Sequence, residues 1–180
     1  ALDTGGELYG ADTSRPVDVA SYAALSSFAS GASGKGQWGD ELARAGAQAI
    51  DLAGDLDPLF TPPLADDALP AQLTLAARLI NANLGIRVLN ASFGSFDTHD
   101  RQAAEQPALL TELDTAIDAF YRALALQWAR RVTIMTFSEF GRRAAANASG
   151  GTDHGNASTM LVIGDNVKGG FYGQAPDLNN

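Results

Sequence analysis

Between Pro107 and Arg130 the apolar residues Leu110, Leu113, Ile117, Phe120, Tyr121 and Leu124 recur at steps of three and four, the spacing that lines one face of an α-helix. The run RVTIMTF, Arg131 to Phe137, follows at once and reads as a buried strand, because β-branched and aromatic residues favour the pleated backbone. A one-faced helix that feeds directly into a buried strand closes its stripe best against a sheet. The chain is therefore expected to be α/β.

The other segments are arranged around this pair. Residues 1–20 lack a sustained period and read as a loop, and Tyr22 to Phe28 reads as a short helix ended by SGASGKG. Asp40 to Leu52 places Leu42, Ala45, Ala49 and Leu52 on one stripe, and the prolines of PLFTPPLADDALP then forbid regular structure. Ala71 to Leu84 predicts a helix with Leu75, Leu79 and Ile80 on one side and Gly85 as its stop. IRVLNASFG and TMLVIG, the latter at Thr159 to Gly164, predict strands. Helix, strand, helix, strand, loop, strand predicts parallel pairings. Trp38, Trp128, Phe120 and Tyr121 are assigned to packing, since the last three share one helix at core spacing.

The 180 residues suit one domain, 1–180, with a real core. A formal charge of -9 would repel a phosphate backbone, and nucleic acid is excluded as a partner. No run approaches the roughly 20 apolar residues of a membrane helix, so no transmembrane segment is expected. With no cysteine, any metal must be held by oxygen and imidazole.

Only two histidines are present, and both follow an aspartate in a predicted loop beside a strand. Open α/β sheets gather their ligands at such loops. In Asp97-Thr98-His99 an extended backbone sends both side chains to one side. Asp153-His154 must bend to converge, which Gly150, Gly151 and Gly155 permit. Asp97, His99, Asp153 and His154 are the candidate metal ligands. Glu139, with Arg142 and Arg143 close behind, follows the RVTIMTF strand; an arginine fork matches phosphate or sulfate oxygens, and Arg142 is the better oxyanion candidate. Ordinary readings stand beside these: a loop Asp-x-His is common, and Glu139 with the arginines also describes a surface salt bridge. The Asn-Ala-Ser triplets at Asn90, Asn147 and Asn156 read as chance in an alanine-rich chain.

Taken in order, GSFDTHDRQ, LLTELDTAIDAFYRAL, RVTIMTFSEFGRR and GGTDHGNASTMLVIGDNVKGGFYG resemble a family of secreted bacterial proteins. These are mostly uncharacterised, often labelled sulfatase-like, and form a conserved domain of unknown function within the alkaline phosphatase-like superfamily. Residues 71–178 carry the motifs; residues 1–70 match loosely. The resemblance implies an alkaline phosphatase-like α/β/α sandwich with a mostly parallel central sheet, divalent metal beside a nucleophile, and an exported bacterial protein carrying a Tat-type signal. Asp97 and His99 resemble the superfamily's ligand pair before its long helix, with one intervening residue instead of three. In SEFG, Glu139 stands where a ligand aspartate is expected, and Phe140, which cannot bind metal, where a ligand histidine is expected. His154 resembles the late third histidine. The first metal aspartate and the nucleophile have no counterpart here, so the chain is expected to be the C-terminal part of a longer protein.

Two functions follow. The first is metal-dependent hydrolysis of a small anionic phosphate or sulfate ester, with zinc or manganese favoured over calcium by the two imidazoles, Arg142 steadying charge, and Glu139 as a further ligand or a carboxylate that orients an imidazole. The second is a non-catalytic structural or complex-forming descendant of the same fold, favoured by Phe140 and the missing nucleophile.

Overall fold

The computed structural model describes residues 16–60, 62, 64 and 68–175. Most of the opening segment read as a loop lies outside them. Helices α1 (Pro16–Ala32) and α2 (Gln37–Leu56) form a hairpin. Its turn uses Gly34 and Gly36 at φ of 75° and 90°, left-handed values that glycine adopts without a Cβ clash. Asp40 Oδ1 accepts the Gly34 N–H at 2.7 Å and holds the turn. Both helices outrun the segments predicted for them. The expected stripe of α2 is rotated: Leu42 and Leu52 are exposed, while Ala43, Gly46, Ile50 and Ala53 are the covered positions. Small residues there let two helices approach closely, a geometry the larger side chains of the expected stripe would oppose. Trp38 is 84% exposed, correcting its assignment to packing.

After a 3₁₀ turn at Asp57–Phe60, α3 (Leu69–Asn81) begins with Pro70 in its first turn, where no N–H is needed. This helix is the centre of the core. On one side Ala76 and Ala77 meet Phe120 and Leu124; on the other Leu75 and Leu79 meet Leu56. Leu75 is 1% exposed, and burying a leucine stabilises by about 1.5–3 kcal/mol.

Three polar side chains of α3 tie its neighbours down. Arg78 donates to the carbonyls of Leu59 and Pro62 at 2.9 and 3.0 Å, fixing the irregular crossing. Gln72, 4% exposed, donates to the Ser92 carbonyl and accepts from the Ser92 N–H, both at 2.9 Å. The IRVLNASFG run is thereby held by a side chain that imitates a strand partner, and it forms no ladder among the described residues. Asn81 donates to Ala123 O and accepts from Ala125 N–H, each at 2.9 Å.

That last contact explains why the long helix differs from its prediction. Helix α4 runs Gln102–Ala123, stops where Leu124 turns extended, and is followed by a short α5 (Leu126–Ala129). Leu124 is buried and the Ala125 N–H is taken by Asn81, so the helix breaks before Arg130. At its other end it starts before Pro107, which lies inside it.

Strands are shorter than predicted. β1 (Ile134–Met135) pairs with β4 (Val162–Ile163), and β2 (Gly141–Ala146) with β3 (Thr152–Gly155). Both pairings are antiparallel, where the order of elements predicts parallel ones. β2 and β3 are joined by a short turn, which reverses the chain and requires antiparallel pairing. That hairpin, read as loop in the sequence, lies between β1 and β4 and brings them back together. Among the described residues no helix is long and apolar enough to cross a membrane.

Tyr121 links α4 to this ribbon, its hydroxyl lying 3.1 Å from Ile163 O and 3.4 Å from Val132 O. Burial, and then the charge of Asp165, push the Tyr121 phenol above its ordinary 10.0. A raised folded pKa means that the contribution is complete below pH 10 and is lost as pH rises through the folded value. Tyr121→Phe is expected to lower stability at neutral pH by about 1 kcal/mol. It should also flatten the loss above pH 10 in urea titrations repeated across pH; an unchanged alkaline limb would refute the assignment.

Candidate metal centre

Phe96, Asp97, Thr98, His99 and Asp100 precede α4 and run beside the β2–β3 hairpin, with Asp100 bridged to Gly150. Two features hold them there. Gly151 is buried so closely that a Cβ would collide with the backbone carbonyl of His99. Arg142 of β2 turns its guanidinium across the gap. It donates to Phe96 O at 2.7 Å, to Thr98 O at 3.4 Å, to Thr152 O, and to Asp97 Oδ1 at 3.0 Å.

In the β2–β3 register Arg142 faces His154. His154 Nε2 therefore comes within 2.7 Å of Asp97 Oδ1, and His99 Nε2 lies 3.0 Å from the same oxygen. The two imidazole centroids are 5.0 Å apart. Ligand-capable atoms of Asp97, His99 and His154 all lie within 4.8 Å of one another, with every one of these residues exposed. Bonds of about 2.0–2.2 Å to one tetrahedral ion place donors roughly 3.3 Å apart, so the 2.7 and 3.0 Å separations need open only slightly. One carboxylate with two imidazoles suits zinc or manganese chemically, and these residues fit such an ion.

The electrostatics agree. The hydrogen bond from His154 is the main cause holding the Asp97 carboxyl below its usual 3.8; the charges of His99, His154 and Arg142 add to it, and desolvation opposes them. Asp97 is thus an ionised donor at neutral pH.

Of the six residues proposed from the sequence, Asp97, His99 and His154 come together. Asp153 stands outside this group. Its Oδ1 accepts from Asn147 Nδ2 at 3.1 Å and lies 3.6 Å from His99 Nδ1, the nitrogen remote from Asp97. At 3.6 Å this is an ion-pair separation and not a direct hydrogen bond. The hydrogen bond from Asn147 is first among the causes that lower the Asp153 carboxyl. Arg142 is occupied by the acceptors named above. Glu139 lies exposed, and its carboxylate makes no hydrogen bond or ion pair among the described residues.

Two contributors escape a reading of the sequence. Phe140 stacks on His154, with centroids 4.3 Å apart and planes within 6°, and fixes the ring's tilt. Asn147 accepts from the N–H groups of Ser149 and Gly151 at 3.0 Å each, and donates to His99 O at 2.8 Å. Its signal is an asparagine followed within four residues by two glycines, the composition of a tight turn.

Arg142→Ala would leave three carbonyls and a carboxylate without their donor, and is expected to lower stability by about 2 kcal/mol. Arg142→Lys keeps the charge without the fork and should recover only part of that loss. Urea unfolding tests both; a lysine variant as stable as wild type would show that charge alone matters.

Comparison with curated proteins and with solved structures finds no match. Residues 41–180 match the family model described as "Protein of unknown function (DUF1501)", and since the match covers most of the chain, the protein belongs to the DUF1501 family.

Proposed function

We propose that the chain is a metal-dependent hydrolase of phosphate or sulfate esters, built on an alkaline phosphatase-like fold. The observation that carries this reading is the convergence of Asp97, His99 and His154 from two distant stretches of sequence on one small volume. Asp97 Oδ1 and the two Nε2 atoms would hold a zinc or manganese ion. A bound ion of this kind polarises an ester oxygen and lowers the pKa of an attacking hydroxyl or water.

The protein's own residues supply the rest. Arg142 keeps Asp97 beside the imidazoles through its contacts on both sides of that residue. Phe140 covers one face of His154, leaving its edge toward Asp97. Among the three donors, side-chain exposures of 47–55% leave room for an anionic ester to approach from solvent.

The non-catalytic reading has one specific support: the Arg142 guanidinium is already engaged by the protein's own oxygens, which weakens its use as an oxyanion clamp. Turnover decides between the two. With zinc or manganese, the full chain is expected to cleave an aryl phosphate or aryl sulfate, and Asp97→Ala or His154→Ala should reduce the rate at least about 100-fold. Plasma mass spectrometry should find about one ion per wild-type chain. Tight metal without turnover on either ester would overturn the hydrolase and favour the structural descendant.

A further inference from the structure

Helix α2 carries two apolar stripes, and the described residues use one of them. Ala43, Gly46, Ile50 and Ala53 are its covered positions. Trp38, Leu42, Ala45, Ala49 and Leu52 form the other, at steps of four, three, four and three. All five are exposed, Trp38 at 84% and Leu42 and Leu52 at 47% and 48%. Steps that average 3.5 residues make the seam of a helix packed lengthwise on a second helix. Among the described residues no element covers this seam.

We propose that the stripe is the interface of a homodimer, with α2 of a second copy lying antiparallel across it about a two-fold axis at Ala47. A two-fold interface must be self-complementary, and this stripe is so in both spacing and size. Leu42 and Leu52 stand five residues to either side of Ala47, and Ala45 and Ala49 stand two. Leucine therefore meets leucine at the flanks, and alanine meets alanine in the middle, where small side chains let the backbones close up. Trp38 extends beyond Leu52 of the second copy toward the end of that helix, where Leu56, Leu59 and Phe60 form an apolar cluster.

Charge favours the same direction. Arg44 and Asp51 lie on one side of the stripe, and the antiparallel arrangement sets each beside the other's counterpart; a parallel one sets each against its own kind. Arg44 Nε also donates to Glu41 at 3.3 Å, which offsets that acid. Beside Trp38 and Leu42, Phe28 and Lys35 help to line a groove of about 560 Å³. Lys35 thus stands at the end where Asp55 of the second copy arrives. The two tryptophans, each able to bury about 150–250 Å², join the leucines and alanines of both copies. Together they reach the order of 1,000 Å² that a specific interface needs.

Sedimentation equilibrium of the full chain should show monomer and dimer exchanging with a Kd of roughly 1–100 µM, as suits an interface at that lower limit. Ala45→Glu alters a position already exposed in the single chain. It should leave the melting temperature of dilute protein unchanged and weaken association at least about 10-fold, because it buries a carboxylate. The chain has no cysteine of its own, so cross-linking reads the direction. Ala45→Cys and Ala49→Cys chains, one of them carrying heavy nitrogen, are mixed and oxidised, and the mixed disulfide should exceed either homodisulfide. A wild type that stays monomeric throughout that concentration range overturns the proposal. So does an Ala45→Glu chain that dimerises like the wild type, or an excess of the homodisulfide at position 45. Should Ala45→Glu misfold, the wild-type sedimentation and the cross-link still decide.

Discussion

The guanidinium of Arg142 is the interaction on which the site depends. Alone, Phe96, Asp97 and Thr98 would be a stretch of backbone with no ladder beside it, and the β2–β3 hairpin a two-stranded ribbon, which is marginal in water. One planar group with donors on two nitrogens reaches carbonyls of both and a carboxylate between them. Lysine carries the same charge but not this geometry. The clamp also decides which side chains meet: because Arg142 holds the backbone on either side of Asp97 and pairs with His154 in register, Asp97 and His154 arrive at one place.

Behind the clamp stands a second constraint of the same type. Gln72, Arg78 and Asn81 use side-chain amides and a guanidinium to satisfy backbone groups of an extended segment without a strand partner, of the crossing after α2 and of the end of α4. Unpaired backbone groups near a core carry a cost of roughly 1–3 kcal/mol each. This chain meets it from one helix, α3, whose apolar side meanwhile packs both halves of the core. The extended run that leads to Asp97 is thus positioned by Gln72 at Ser92 and by Arg142 at Phe96.

Some of this was legible before any coordinates. The periods around Leu75 and Phe120 place the two central helices, and the pairing of an aspartate with each histidine names four candidate ligands, three of which gather at the centre. What was not legible has physical causes. The end of α4 depends on Asn81, forty-four residues from the amide it receives, and no local period encodes that. The rotated stripe of α2 depends on its partner helix, because glycine and alanine at Gly46 and Ala53 signal close approach only once a neighbour is known. Arg142 reads as an oxyanion binder or a surface salt bridge because sequence does not reveal that three carbonyls will face it. Asp153 reads as a ligand because adjacency to His154 hides the alternation of a strand, which turns neighbouring side chains to opposite faces.

That alternation bears on what the centre can do. With Asp153 turned away, three candidate donors stand together among the described residues, where a closed structural zinc site has four. Under the metal reading proposed above, three donors would leave a position for water or an ester oxygen, as catalytic sites do. Phe140 belongs in the same argument: an imidazole there would be a fourth donor and close the set, whereas a phenyl ring lying flat against His154 adds no donor and restrains the ring it covers. Against the ligand pattern that the resemblance implies, Phe140 taken from sequence alone favours lost chemistry. Beside the half-exposed edges of His99 and His154, the metal reading proposed above makes it the mark of a site kept open.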